Sequence, residues 1–378
     1  DSPWVGISLC YLNQALVSFA LAGWIKQHFC EKKIVMGGGL ISSWMSRPDF
    51  THPFSGLIDH MIPGEGEIPL LDLLGKPGTT RRHYVPDYHF SDRQAYVSPA
   101  RVLPFRTTIG CYWRKCRFCP EKAETRRYST QRASQVLADT LTLTHRFNPD
   151  TIHFIDDAVT PAFLKVLAGA GPDLPFTWYG FVRFEKILED PDFCVQLRHS
   201  GCIMLKLGLE SGDQAVLDRM NKGTTLDRAS RILKNLHEAG IFTYVYLLFG
   251  TQFEDRSSAL TTLAFTKAHH PYIDYLNLAV FNLPRFSEDA EHLETIDFYQ
   301  GDLSLYANFV HPSGWDRKQV KQFLDKTFKK QMANGSRIRK NPAFFSANHA
   351  MFFNPVWLNK QITATGSENR VPLKSCQG

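Results

Sequence analysis

Three cysteines fall within nine residues, in the run Gly110-Cys-Tyr-Trp-Arg-Lys-Cys-Arg-Phe-Cys119. Cys111, Cys116 and Cys119 thus have the spacing C-x4-C-x2-C, with no fourth cysteine nearby. Thiolates are the ligands that iron-sulfur clusters and zinc prefer. Three ligands on a cubane of four irons leave one iron open, and an open iron can chelate an amino and a carboxylate group. The competing reading is a zinc knuckle completed by a distant cysteine or histidine. Structural zinc usually staples small domains that lack a core, whereas this loop follows an apolar strand in a long chain. The other cysteines, Cys10, Cys30, Cys194, Cys202 and Cys376, are scattered singly. None has ligand spacing, and all but Cys376 read as buried thiols. Eight cysteines in 378 residues indicate a metal site in a reducing compartment and not a disulfide framework.

The elements that would hold this loop read as α/β. The first segment gives a strand over Trp4–Cys10, a helix over Ala15–Phe29, a strand over Lys33–Met36 running into Gly37, Gly38 and Gly39, and a strand over Leu57–Ile62. Apolar strands alternating with helices imply a parallel sheet covered on both faces. Small residues end each strand: Ser8, the three glycines, and Gly64-Glu65-Gly66. They lie at the carboxyl edge, where open parallel sheets bind ligands, although tight turns explain them equally. A second βα series has strands over Val102–Ile109, Thr151–Ile155, Phe176–Val182, Ile203–Leu209, Phe242–Phe249 and Ile273–Phe281. One helix is well marked, with Leu226, Ala229, Ile232, Leu233, Leu236 and Ala239 on one face, Thr225 able to cap its start and Gly240 stopping it. Six such units suggest a partial (β/α)6 barrel, whose chemistry sits at the carboxyl ends of the strands.

The expected division is an α/β domain over residues 1–75, a linker over 76–98, the barrel over 99–285 and a C-terminal extension over 286–378. The extension should hold a helix from Asp316 to Met332, and nine Lys or Arg lie between Arg317 and Lys340 against Asp325 alone. A solvated helix face accounts for these charges, with substrate or leader-peptide contact as the alternative. Phe344, Phe345, Phe352, Phe353 and Trp357 could close the barrel or pack as core. The composition is ordinary for a globular protein, with 43% hydrophobic residues, and the net charge of +6 is mild. No long apolar run or signal peptide is evident, so a cytoplasmic protein without membrane or nucleic-acid partners is expected. The chain opens on Asp1 almost directly at a strand, as though cut from something longer.

The cysteine run, placed after the first barrel strand, resembles the radical SAM superfamily, named for S-adenosylmethionine (SAM). Within it the chain resembles the class with an N-terminal cobalamin-binding domain. The resemblance covers about residues 4 to 285, and four residues between the first two cysteines, in place of three, look like a variant of that class. It implies that Cys111, Cys116 and Cys119 hold a [4Fe–4S] cluster and that Phe118 lies near the SAM adenine. Asp156 and Asp157 would face the SAM ammonium, with a helix N-cap as the alternative for Asp157. Arg183 would bind the SAM carboxylate, or make a surface ion pair. Glu210 and Ser211, in Leu207-Gly-Leu-Glu-Ser-Gly212, would reach the ribose or amino-acid portion. Gly250 would lie against the adenine, or serve as a turn glycine. Ser8, Leu9, Gly37, Gly38, Gly39, Gly64, Glu65 and Gly66 would line a partial Rossmann-like cobalamin pocket, whose earlier strands are missing. The implied chemistry is reductive cleavage of SAM and hydrogen abstraction by the resulting radical, ending in methyl transfer from methylcobalamin to a small-molecule or peptide substrate. A flavodoxin or ferredoxin would supply electrons. The alternatives are a non-methylating radical SAM enzyme performing rearrangement, cyclisation or oxidation, and a zinc-binding interaction module.

Overall fold

The structure, a computed structural model, describes residues 2–48, 50–76, 85–89, 100–123, 128–297 and 303–333. Most of the expected linker, the aromatic segment from Phe344 to Trp357 and Cys376 lie outside these residues. The chain forms two compact units, one of residues 1–85, 114–127 and 282–310, the other of residues 86–113, 128–281 and 311–378.

In the first unit, β1 (Trp4–Ser8), β2 (Lys33–Gly37) and β3 (His60–Met61) form a parallel sheet in that order. The third strand is much shorter than expected, because the chain from Ser55 to Leu57 turns and only His60 and Met61 pair. Helix α1 (Leu12–His28) joins β1 to β2, α2 (Gly39–Met45) follows β2, and α3 (Glu67–Leu73) follows β3. Leu9, Ile34, Met36, Ile41 and Trp44 form the core, and the Trp44 indole donates to the Leu303 carbonyl at 2.9 Å. A small antiparallel sheet of Leu283–Pro284, Tyr306–Phe309 and Thr295–Asp297 belongs to the same unit.

The second unit is built on six parallel strands, β4 (Val102–Phe105), β5 (Thr151–Phe154), β6 (Thr177–Val182), β7 (Cys202–Glu210), β8 (Phe242–Phe249) and β9 (Tyr275–Val280). They lie side by side in sequence order, the arrangement of a partial (β/α)6 barrel. The intervening helices are α4 (Ala133–Phe147), α5 (Pro161–Ala170), α6 (Pro191–His199), the short α7 (Gln214–Arg219), α8 (Leu226–Glu238) and α9 (Arg256–His269). Phe154 packs edge-on to Phe163 of α5 at 5.1 Å, so this helix covers the side of β5 on which Phe154 lies. In α8 the Thr225 hydroxyl accepts from the Arg228 amide at 3.2 Å, and Gly240 takes φ 74° beyond its end.

One expectation needs correction here. Val102–Ile109 is not one strand: pairing in the large sheet ends at Phe105, and Thr108–Ile109 pairs with Ser129–Thr130 in a separate two-stranded ribbon. The helix expected from Asp316 to Met332 is present: α10 (Arg317–Phe323), capped by Asp316, continues through a π-turn at Leu324–Phe328 into Lys329–Ala333. No described helix is long and apolar enough to cross a membrane.

Candidate active site

The chain leaves β4 toward the cysteine run through Thr107 and Thr108, and Asp156 at the end of β5 holds it there. One carboxylate oxygen of Asp156 accepts from the Thr107 amide at 3.0 Å and hydroxyl at 2.9 Å, and from the Thr108 amide at 2.5 Å and hydroxyl at 2.7 Å. These bonds stop the strand at Phe105. The second oxygen is buried without a partner. Burial raises the Asp156 pKa, opposed by the bonds from Thr108 and then Thr107. Asp157 is exposed and does not cap the next helix: Thr160 does, accepting from the Phe163 amide at 3.2 Å, because the chain first turns through Ala158 and Val159.

Gly110, at φ 71°, turns the chain into Cys111, which is half-buried. The next two residues dock onto the rim of the sheet. The Tyr112 hydroxyl donates to Glu185 at 2.8 Å. Trp113 donates from its indole nitrogen to the Asn221 carbonyl at 3.0 Å and lies under the Arg183 guanidinium at 4.3 Å. Gly223 admits that ring, since a Cβ there would fall 2.1 Å from it. Arg183 is buried, not a surface group; it pairs with Glu185 at 3.3 Å and donates to the Lys222 carbonyl. Lys222 in turn pairs with Glu210 at 2.7 Å, and Gly208 leaves the space that both side chains occupy. Glu210 has φ 70°, a left-handed conformation uncommon for a residue with a side chain and characteristic of strained functional positions.

Ser211 is fully buried, within 3.1 Å of the Thr262 hydroxyl and accepting from the Asp213 amide at 3.1 Å. Gly250, at φ 83°, donates its amide to Glu254 at 2.5 Å. Glu254 also accepts from the Trp315 indole at 3.0 Å, and burial pushes its carboxyl up to about 7.

In the first unit, Cys116 is buried and Cys119 half-buried, with the Cys119 amide 3.4 Å from the Cys116 carbonyl and a short helix from Pro120 to Ala123 beginning behind them. Phe118 is half-buried on this turn. Burial pushes the Cys119 thiol up to about 12, so a thiolate there needs a cation beside it. All seven described cysteines are free thiols. Among the described residues, no group of three His, Cys, Asp or Glu side chains is drawn together as around a metal ion. The donor set itself, three reduced thiols on one short loop, fits a cluster with one open iron. Cys194 and Cys202 are buried as expected, but Cys10 and Cys30 are exposed, because they occupy the turns after β1 and after α1.

At the carboxyl edge of the three-stranded sheet, the Gly64 amide donates to the Ser42 hydroxyl at 2.8 Å, and that hydroxyl donates to the Gly38 carbonyl at 2.9 Å. Gly38, at φ 106°, lies so close to Leu9 that a Cβ would fall 2.5 Å from the Leu9 carbonyl oxygen. The Leu9 side chain is fully buried in the core, whereas Ser8, Gly64 and Glu65 are exposed and Gly37, Gly39 and Gly66 half-buried. The edge is therefore a set of close backbone segments with space above Gly64, where an added Cβ would meet nothing within 4 Å.

Sequence reasoning missed Thr107, Thr108, Tyr112, Trp113, Lys222 and Glu254. Tyr112 and Trp113 were visible as aromatic residues inside the unusual four-residue spacing. The others depend on partners distant in sequence.

A parallel sheet with cysteines on the loop after its first strand defines a class, and the comparisons agree with it. Residues 105–263 match the family model described as the Radical SAM superfamily. It is 28% identical over 176 residues to the anaerobic magnesium-protoporphyrin IX monomethyl ester cyclase of Rubrivivax gelatinosus, covering 46% of this chain and 30% of that protein. It is 23% identical over 293 residues to the bacteriochlorophyllide d C-12(1)-methyltransferase of Chlorobaculum tepidum, covering 74% of this chain and 62% of that protein. The chain thus spans less than two thirds of either curated relative. Among solved structures, the radical SAM methyltransferase TsrM from Kitasatospora setae, with tryptophan substrate and a SAM analogue bound, aligns with TM-score 0.65 and 14% identity over 97% of this chain and 89% of TsrM. The cobalamin-dependent SAM radical enzyme OxsB aligns with TM-score 0.53 and 16% identity over 95% of this chain and 52% of its own. At these identities the structural likeness is one of fold.

Proposed function

We propose that this chain is a radical SAM enzyme whose Cys111, Cys116 and Cys119 hold a [4Fe–4S] cluster, and that it acts as a cobalamin-dependent C-methyltransferase. The observation that carries the reading is the cysteine loop itself, which leaves the carboxyl end of β4 inside the matched domain. Its Tyr112 and Trp113 are seated on the rim that presents Arg183 and Glu210. When bound, the cluster supplies the electron that cleaves SAM, and cobalamin carries the methyl group. Asp156 fixes where the loop begins, and Trp113 fixes its first turn. Arg183 and the Glu210–Lys222 pair offer charges of both signs for a zwitterionic amino acid such as the methionine part of SAM. Ser8, Gly37 to Gly39 and Gly64 to Gly66 would form the partial cobalamin edge. The C. tepidum methyltransferase supports methyl transfer; the R. gelatinosus cyclase supports the non-methylating alternative. A flavodoxin or ferredoxin would be the reductant.

Anaerobic reconstitution should give about four iron and four sulfide per chain, lost in each of Cys111→Ala, Cys116→Ala and Cys119→Ala and kept in Cys194→Ala and Cys202→Ala. Zinc without sulfide would overturn the proposal. The reconstituted protein with dithionite and SAM should release 5′-deoxyadenosine. Equilibrium dialysis against hydroxocobalamin, then product analysis with methyl-labelled SAM, decides between methylating and non-methylating chemistry.

A further inference from the structure

In the sheet of the second unit, Phe154 of β5 faces helix α5 on one side. On the other face Lys206 stands in the middle of β7, in register with Phe181 of β6 and Tyr244 of β8, while His153 of β5 is in register with Tyr179 of β6. Residues in register on parallel strands point to the same side, so these five side chains share one face. Lys206 is 3% exposed, and its ammonium lies 3.3 Å from His153 Nε2 and 5.2 and 5.7 Å from the rings of Tyr179 and Phe181. His153 is stacked on Tyr179 with ring centroids 4.2 Å apart. Phe181 and Tyr246 pack together at 4.6 Å, and both are half-buried, so the face stays accessible beside the lysine.

None of the described ion pairs involves Lys206. Burial brings its pKa down to about 8, which still leaves the amine largely charged at neutral pH. Burial pulls His153 down to about 3, with the Lys206 charge adding to the effect, so the imidazole is neutral and can accept from the ammonium. A buried cation held by rings and a neutral imidazole, with no carboxylate paired to it among the described residues, is costly unless an anion arrives from outside.

The geometry points to a substrate subsite on this face for an aromatic carboxylic acid, its carboxylate paired with Lys206 and its ring laid against Phe181 and Tyr246. The inference rests on the radical SAM reading and names the substrate class that site would accept.

The test uses the reconstituted, SAM-bound protein and two probes of one shape, indole-3-acetate and the neutral indole-3-acetamide, in calorimetric titrations. The acid should bind at least tenfold more tightly than the amide. Lys206→Met should abolish that difference while keeping iron content, thermal midpoint and substrate-free 5′-deoxyadenosine release, and Lys206→Arg should restore part of it. Equal affinity for the two probes, no binding of either, or discrimination that survives Lys206→Met would each overturn the subsite. Loss of 5′-deoxyadenosine release in the unmutated protein would instead overturn the enzyme reading.

Discussion

Helices α1 and α8 each precede a parallel strand, yet they meet opposite fates. In α8 the apolar stripe of Ala229, Ile232, Leu233 and Leu236 is fully buried. In α1 apolar residues occur all round, and Leu16 and Val17 remain 82% and 70% exposed. The rims differ in the same way. Around Arg183 the polar groups are paired through Trp113, Glu185, Lys222 and Glu210, whereas Ser8, Gly64 and Glu65 stand exposed. The rim of the second unit is therefore fixed by its own side chains, while the edge of the first is shaped mainly by backbone.

The largest effect should come from the bond cluster that starts the cysteine loop. Asp156→Ala strands two amides and two hydroxyls at the end of β4 and should cost roughly 2–4 kcal/mol in urea unfolding, with reduced iron uptake. Asp156→Asn keeps an acceptor and should cost roughly half as much. If Asp156→Ala unfolds like the parent, the side-chain fixing assigned to this rim is wrong. Next comes Trp113→Ala, which removes the ring from beneath Arg183 and should cost about 2 kcal/mol. Trp113→Phe retains the stacking and loses the bond to Asn221, about 1 kcal/mol. In both variants the SAM dissociation constant, measured at matched iron content, should rise more than the unfolding midpoint alone implies.

Much of this architecture was legible in the sequence. The strand Phe242–Phe249 and the Thr225 cap are written in local patterns of apolar residues and capping groups. The break in β4 was not, because Asp156 lies 49 residues from Thr107 and nothing local announces that it will accept four bonds there. Asp157 resembles an N-cap by type and place, but Thr160, directly before Pro161, holds the better position. Lys206 did leave a signal, a lone cation inside the apolar run Cys202-Ile-Met-Leu-Lys-Leu. Its face of the sheet could not be assigned without strand register.

A smaller effect, with a definite sign, concerns Glu254. Its carboxyl titrates near 4.5 when unfolded and near 7 when folded. The folded state therefore binds the extra proton between these values, and this group's contribution falls as pH rises from about 4.5 to about 7. Glu254→Gln keeps an acceptor and removes the titration. It should be about 1–3 kcal/mol more stable than the parent at pH 8 and nearly equal to it at pH 4.5. A gain independent of pH would show that the buried carboxyl is not the cause.

The smallest effect should come from the exposed positions of α1, with the buried Leu233 of α8 as a large-effect reference. Exposed positions that touch nothing change stability by less than about 0.5 kcal/mol when substituted, whereas truncating a fully buried leucine costs about 2–5 kcal/mol. Leu16→Lys combined with Val17→Lys in α1 should therefore leave the thermal midpoint in place, while Leu233→Ala in α8 lowers it by several degrees. Removing two exposed apolar side chains should also reduce self-association in light scattering, because an uncovered apolar face is a surface on which molecules can meet. The two readouts must be taken together. Unchanged melting with reduced scattering fits a bare face. A drop in midpoint comparable to that of Leu233→Ala would mean that α1 is covered in solution, and the contrast between the helices would then lie in what covers each of them and not in whether they are covered.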